Sequence, residues 1–217
     1  MLRGVIFDMD GVLVDSHPIH KRAWRQLLAS AGRDVTDAEL EFVTNGAKRE
    51  DILRHFLGDL TSDQIEALGR QKHELFEAQV AKLLPVRGLE KFLASLDRAQ
   101  IPLAVVTNAA RARTELTLSI LGLSHRFAVV FTGDDVPNGK SDVTVFQKTA
   151  ESLGAHPQNL LVIEDSRLGI FAAKRAGMKC LGIGDGKKAE DLELAGADHV
   201  VSDYTQLRLS DIRKLFS

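Results

Sequence analysis

The chain has a single cysteine, Cys180, so no disulfide can close within it. A lone thiol in an apolar, strand-like stretch suits a reducing compartment, and the cytoplasm is the expected location. No apolar run approaches the roughly 20 residues that a membrane span needs. The apolar N-terminus is broken by Asp8 and Asp10 too early for a signal peptide. Charge of one sign is lacking too: 28 basic and 30 acidic residues give a net charge of −2, so no overall field favours nucleic acid or a membrane surface. There is no internal repeat, no low-complexity stretch and no Gly-x-Gly-x-x-Gly after a strand, so no dinucleotide site is indicated. Gly133 with Asn138-Gly139-Lys140-Ser141 looks like the end of a P-loop. But five residues stand between Gly133 and Gly139, where that loop has four, and the motif is rejected.

What is present is enough apolar residue, 44% of 217, for one large domain or two small ones. The run Gly4-Val5-Ile6-Phe7 reads as a buried strand that ends on two carboxylates, Asp8 and Asp10, before Gly11. Burying ionised carboxylates is costly unless a metal or a reaction needs them. From about Pro85 onward helix and strand patterns alternate. Leu89, Phe92, Leu93 and Leu96 form one helical face. A strand over 102–106 ends at Thr107-Asn108, and a helix follows to Leu121 with Gly122 as its stop. A short strand over 129–131 precedes a helix marked by Val143, Phe146, Ala150 and Leu153. The strand 160–163 ends at Glu164-Asp165-Ser166, a helix runs to about Gly177, and 180–183 is a further strand. This alternation predicts an α/β fold, a Rossmann-like, doubly wound parallel sheet with helices on both faces.

Residues 17–84 interrupt it with helix patterns only, two of them opened by capping-box spacings, Thr36-x-x-Glu39 and Thr61-x-x-Gln64. The expected architecture is therefore a core of residues 1–15 and 86–217 with an all-helical cap at 16–85. Asp15-Ser16 and Leu84-Pro85 are the predicted hinges.

Ligands of a parallel α/β sheet bind beyond the carboxyl ends of its strands. That edge receives Asp8, Asp10, Thr107, Asn108, Glu164 and Asp165, with Lys140 in a neighbouring loop. Clustered carboxylates repel one another, and a few hard oxygen ligands suit Mg²⁺. Lysine and a hydroxyl suit a phosphoryl group. One carboxylate can attack phosphorus while a second protonates the leaving oxygen. Taken alone, Asp165-Ser166 also reads as the N-cap of the following helix, and the two roles can coexist. In the cap, His20 and Trp24 are four apart and share a helical face, which for Trp24 alone reads as packing. Arg49, three residues after Gly46, opens a helix, where a cation opposes the macrodipole unless an anion joins it. Glu50 and Asp51 follow it, so a solvated ion pair is an equal reading. Lys72 on the long cap helix reads by default as solvent-facing.

Asp8-x-Asp10-Gly11-Val12, Thr107-Asn108, Lys140 and Glu164-Asp165-Ser166 resemble, in order and over almost the whole chain, the four motifs of the haloacid dehalogenase superfamily. The helical cap after the first motif resembles that of its β-phosphoglucomutase-like branch. The resemblance implies Asp8 as nucleophile, forming an aspartyl phosphate, and Asp10 as general acid/base with its backbone carbonyl on Mg²⁺. It implies Thr107 as a holder of phosphoryl oxygens and Lys140 as charge balance. Asp165 and Glu164, with Asp8, would hold the metal. His20-Lys21-Arg22-Ala23-Trp24 and Gly46-Ala47-Lys48-Arg49-Glu50-Asp51 are similar to cap segments of the mutases, in which the arginine holds the non-transferring phosphate. With Asn108 and Lys72, these give His20, Trp24, Gly46, Arg49, Lys72 and Asn108 as substrate-binding candidates.

Departures put sugar-mutase specificity in doubt but leave the phosphoryl-transfer residues intact. Thr107-Asn108-Ala109 is commoner in the phosphatases, Ser141-Asp142-Val143 stands where the family has Pro-x-Pro, and Ile52 replaces a small polar residue. The expectation is a monomeric, Mg²⁺-dependent phosphatase of small phosphorylated metabolites, sugar phosphates foremost, with no nucleic-acid or membrane partner. The alternative is β-phosphoglucomutase, with a sugar hydroxyl as second acceptor. A phosphoreceiver signalling domain would share the acids, threonine and lysine, but the paired acids on the first strand and the inserted cap disfavour it.

Overall fold

The computed structural model describes residues 1–44, 47–136 and 142–217. The chain divides into two compact units, Met1–Asp15 with Leu84–Ser217, and Ser16–Leu83.

The first unit is built on a six-stranded sheet: β1 (Gly4–Phe7), β2 (Leu103–Val106), β3 (Val129–Phe131), β4 (Leu160–Glu164), β5 (Lys179–Ile183) and β6 (His199–Val201). The spatial order is β3-β2-β1-β4-β5-β6, and every neighbouring pair is parallel. β1, β2 and β4 are buried throughout, as a sheet covered on both faces requires. Side chains alternate between those faces. Ile6 packs with Val162, Cys180, Phe146 and Ile170 in one layer. Phe7 turns to the other, where its ring meets Phe92 and Phe127 edge-on and Phe92 stacks on Tyr204. Burial also pushes the Cys180 thiol far up from its ordinary pKa. The last strand that the sequence predicts ends at Ile183, and β6 extends the sheet beyond it.

The two helical sets are α1 (His17–Ser30), α2 (Asp37–Leu40), α3 (Arg49–Leu57) and α4 (Ser62–Glu77) in the second unit, and α5 (Leu89–Arg98), α6 (Arg111–Ile120), α7 (Val143–Ser152), α8 (Arg167–Arg175), α9 (Gly186–Leu194) and α10 (Leu209–Lys214) in the first. In the second unit Trp24, Leu27 and Leu28 of α1 pack with Ile52, Leu53 and Phe56 of α3. Both capping boxes are formed: Thr36 with Glu39 opens α2, and Thr61 with Gln64 opens α4. Leu84 and Pro85, expected in the cap, lie in the first unit. Asp15 N–H donates to the Leu84 carbonyl at 2.9 Å, and Val14 bridges Pro85.

Gly88 shows why one glycine cannot be replaced. It opens α5 at φ +78°, and a Cβ there would lie 2.7 Å from the backbone of Tyr204 and Thr205. Gly88→Ala adds left-handed strain to a backbone clash that no rotamer relieves. It should cost about 3 kcal/mol in urea unfolding.

Candidate active site

The strand order reverses between β1 and β4. The chain leaves β1 for β2 and β3 on one side, then returns for β4, β5 and β6 on the other. The crevice at such a point is where open α/β sheets take ligands. Phe7 is in register with Ile163, and Asp8 N–H donates to the Ile163 carbonyl at 3.0 Å, which puts Asp8 beside Glu164. Asp8, Glu164 and Asp165 are all buried, and each offers a carboxylate oxygen within 4.8 Å of the others. Three hard, anionic oxygens so close fit a hard divalent cation.

Glu164 is held firmly. Its Oε2 accepts from Asp165 N–H (2.9 Å), Ser166 N–H (2.8 Å) and Ser166 Oγ (2.8 Å). The Ser166 hydroxyl in turn caps α8 by accepting from Gly169 N–H at 3.2 Å. Segment 164–166 thus both caps α8 and supplies two carboxylates of the buried acidic cluster. Gly169 leaves the room that Glu164 needs, since a Cβ there would stand 2.1 Å from Glu164 Oε1.

After β1 the chain makes a tight loop. Met9 carbonyl accepts from Leu13 and Val14, and Gly11 takes φ +74°. Asp10 emerges half-buried, and both its oxygens accept from Arg113 of α6, at 2.9 and 2.6 Å. Burial works against the Arg113 charge, but Asp10 and then Asp8 outweigh it and raise its pKa further. Asp165 accepts from Lys188 of α9 at 2.6 Å.

Thr107 is buried at the end of β2, and its Oγ1 accepts from Ala109 N–H at 3.1 Å. Half-buried Asn108 follows. The loop is pinned where Gly133 N–H donates to the Ala109 carbonyl at 2.7 Å. Below the site, burial and the charges of Asp165 and Asp8 raise the pKa of the Tyr204 phenol well above its usual value.

In the second unit His20, Trp24 and Lys72 come together. Lys72 is buried, which corrects the expectation of a solvent-facing lysine. Its ammonium lies 2.7 Å from His20 Nδ1 and over the rings of Trp24 and Phe76. Lysine only donates, so Nδ1 accepts and a neutral ring carries its proton on Nε2. Trp24 belongs to the unit's apolar core. The Arg49 guanidinium lies against Gly69 of α4, where a Cβ would stand 2.7 Å from Cζ. Glu50 pairs with Arg54 at 3.1 Å. Gly46 and Lys140 lie outside the described residues.

Arg113, Lys188 and Gly169 were missed in the sequence. The signal for the two cations was there. Each stands in the first turn of its helix, where it opposes the macrodipole.

Fold and site together define a phosphoryl-transfer enzyme. Residues 5–183 match the haloacid dehalogenase-like hydrolases, and the chain belongs to that family. A validoxylamine A 7'-phosphate phosphatase from Streptomyces hygroscopicus subsp. limoneus is 30% identical over 96% of this chain and 97% of its own. The fructose-1-phosphate phosphatase YqaB of Escherichia coli K12 is 31% identical over 83% of this chain and 95% of its own. A β-phosphoglucomutase from Clostridium difficile shares the fold, with a TM-score of 0.87 at 24% identity over 100% of this chain and 97% of its own. Among the described residues no helix is long and apolar enough to cross a membrane.

Proposed function

We propose that the chain is a Mg²⁺-dependent phosphatase of small phosphorylated metabolites, sugar phosphates foremost, working through an aspartyl phosphate on Asp8. The observation that carries this reading is the buried triad Asp8, Glu164 and Asp165 at the β1/β4 switch point, with Asp10 two residues beyond the nucleophile. Relatives that act on validoxylamine A 7'-phosphate and fructose 1-phosphate support the substrate class.

Asp8 attacks phosphorus, and Asp10 gives a proton to the departing ester oxygen. Water then attacks the aspartyl phosphate and loses its proton to Asp10, which restores both carboxyl groups. Thr107 Oγ1 already accepts from Ala109 N–H, so its own proton is directed to a phosphoryl oxygen. Lys140 balances the charge of Asp8 and the phosphoryl group. Asp8, Glu164, Asp165 and the Asp10 carbonyl would hold Mg²⁺, which when bound neutralises phosphoryl charge. In the cap, Gly69 and Lys72 share one face of α4 by their spacing, and Arg49 lies against the first of them. Arg49 and Lys72 there suit a second anionic group of the substrate; His20, Trp24 and Gly46 are the further substrate-binding candidates of the second unit, and Asn108, next to Thr107, is the candidate of the first. The reading takes the protein as a cytoplasmic monomer without nucleic-acid or membrane partners.

The test uses Mg²⁺ and β-glucose 1-phosphate primed with a trace of glucose 1,6-bisphosphate, followed by a panel of sugar phosphates including fructose 1-phosphate. Free phosphate released only with Mg²⁺, with little glucose 6-phosphate, is expected. Glucose 6-phosphate outrunning free phosphate would establish the mutase instead.

A further inference from the structure

Arg113 has no local reason to be where it is. It is the third residue of α6, a position that disfavours a cation, and the first turn of α6 holds no acidic residue. Its side chain is only 11% exposed, and a guanidinium that buried needs a partner. The partner comes from far along the chain. One guanidinium nitrogen meets Asp10 Oδ1 at 2.9 Å and another meets Oδ2 at 2.6 Å. Two parallel bonds of this kind fix the plane and direction of the carboxylate as well as its distance.

The helix end that carries Arg113 is itself anchored. Ala110, at the N-cap, makes no side-chain bond. Asp134 fills that role from the loop after β3, accepting from Arg111 N–H at 2.8 Å. The Arg111 guanidinium takes Asp135, and Asp135 also accepts from Thr132 N–H and Oγ1. So one segment, 107–113, delivers both Thr107 and Arg113 from a base fixed by 132–135.

Asp10 needs such support. It sits on a short loop, and proton transfer to a leaving oxygen is sensitive to the direction of the carboxyl group. When one oxygen hands over or takes a proton, the other still accepts from Arg113 and keeps the group aimed. We propose that Arg113 is a positioning residue for Asp10, acting through it on the departure of the leaving oxygen. The proposal rests on the phosphatase reading above.

The test is leaving-group dependence. An alkyl phosphate such as fructose 1-phosphate loses a poor leaving group that needs a proton. p-Nitrophenyl phosphate loses a phenolate that leaves without one. In the Mg²⁺-loaded enzyme, Arg113→Met should lower kcat/KM for the alkyl ester about 100-fold and for the aryl ester no more than about threefold. Arg113→Lys keeps the charge on a single donor nitrogen and should restore about tenfold of the loss. In an Asp10→Asn background, Arg113→Met should change the alkyl value no further, because the two act as one unit. Equal losses on both esters, or full additivity with Asp10→Asn, would overturn the proposal and leave the phosphatase reading standing. Wild type that cleaves neither ester would overturn that reading and the proposal with it. Should Arg113→Met not fold, the lysine variant and the double variant, which leaves no orphaned charge, carry the same comparison.

Discussion

Asp8→Asn is expected to leave no measurable turnover, a loss of about 10⁴-fold or more, in a protein that is at least as stable as wild type without metal. A carboxamide has nearly the shape of the carboxylate, so the packing at the end of β1 is kept. It cannot attack phosphorus. It also removes one of three buried carboxylates whose oxygens lie within 4.8 Å. Like charges at that distance disfavour one another, and their mutual repulsion is a cost that the folded, metal-free chain bears. The two readouts move apart: activity vanishes while the urea midpoint holds or rises. A variant retaining a tenth of wild-type activity would sink the nucleophile assignment. A sharp drop in the midpoint would show Asp8 to be a structural anchor.

Gly169→Ala should produce the second largest effect, by a different route. The added methyl would stand 2.1 Å from Glu164 Oε1, so the carboxylate must swing away. Oε2 is tied to Asp165 N–H, Ser166 N–H and Ser166 Oγ, and no swing keeps all three bonds. Losing two of them costs about 2–3 kcal/mol. The same movement displaces one corner of the acidic triad, and misplacing a ligand typically weakens a metal site about 10–100-fold. Activity should then require that much more Mg²⁺, and the urea midpoint should fall. An unchanged Mg²⁺ requirement would place Glu164 outside the cation's reach.

The parts of the fold that were legible share a physical cause. Strands buried on both faces must be apolar, so an acid at the end of β1 or β4 stood out against its own strand. The capping boxes of α2 and α4 were legible because their partners are three residues apart. What escaped depends on pairing across the chain. Arg113 meets a residue on β1, and Lys188 of α9 meets Asp165. In sequence both look like ordinary basic residues near a helix start. Lys72 looks solvent-facing in sequence for the related reason that, besides Phe76 of its own helix, it is covered from α1. The ring of Trp24 and the nitrogen of His20 cover it, and nothing adjacent in sequence announces them. β6 reads His-Val-Val and opens on an exposed histidine, whereas β3, equally short and also at a sheet edge, is apolar throughout as Val-Val-Phe.

The placement of β1 at the middle of the sheet also governs the order of assembly. Val5 pairs with Leu103 on one side and with Leu161 on the other. During synthesis Asp8 precedes both of these segments, so its strand gains one neighbour when β2 emerges and its second only when β4 does, after α7. Contacts so distant in sequence form slowly, because the intervening chain must first be drawn together. Asp8 is thus made well before its surroundings are complete, and a ribosome-stalled chain ending before Leu160 would carry Asp8 and Asp10 without the Glu164 and Asp165 of the buried acidic triad.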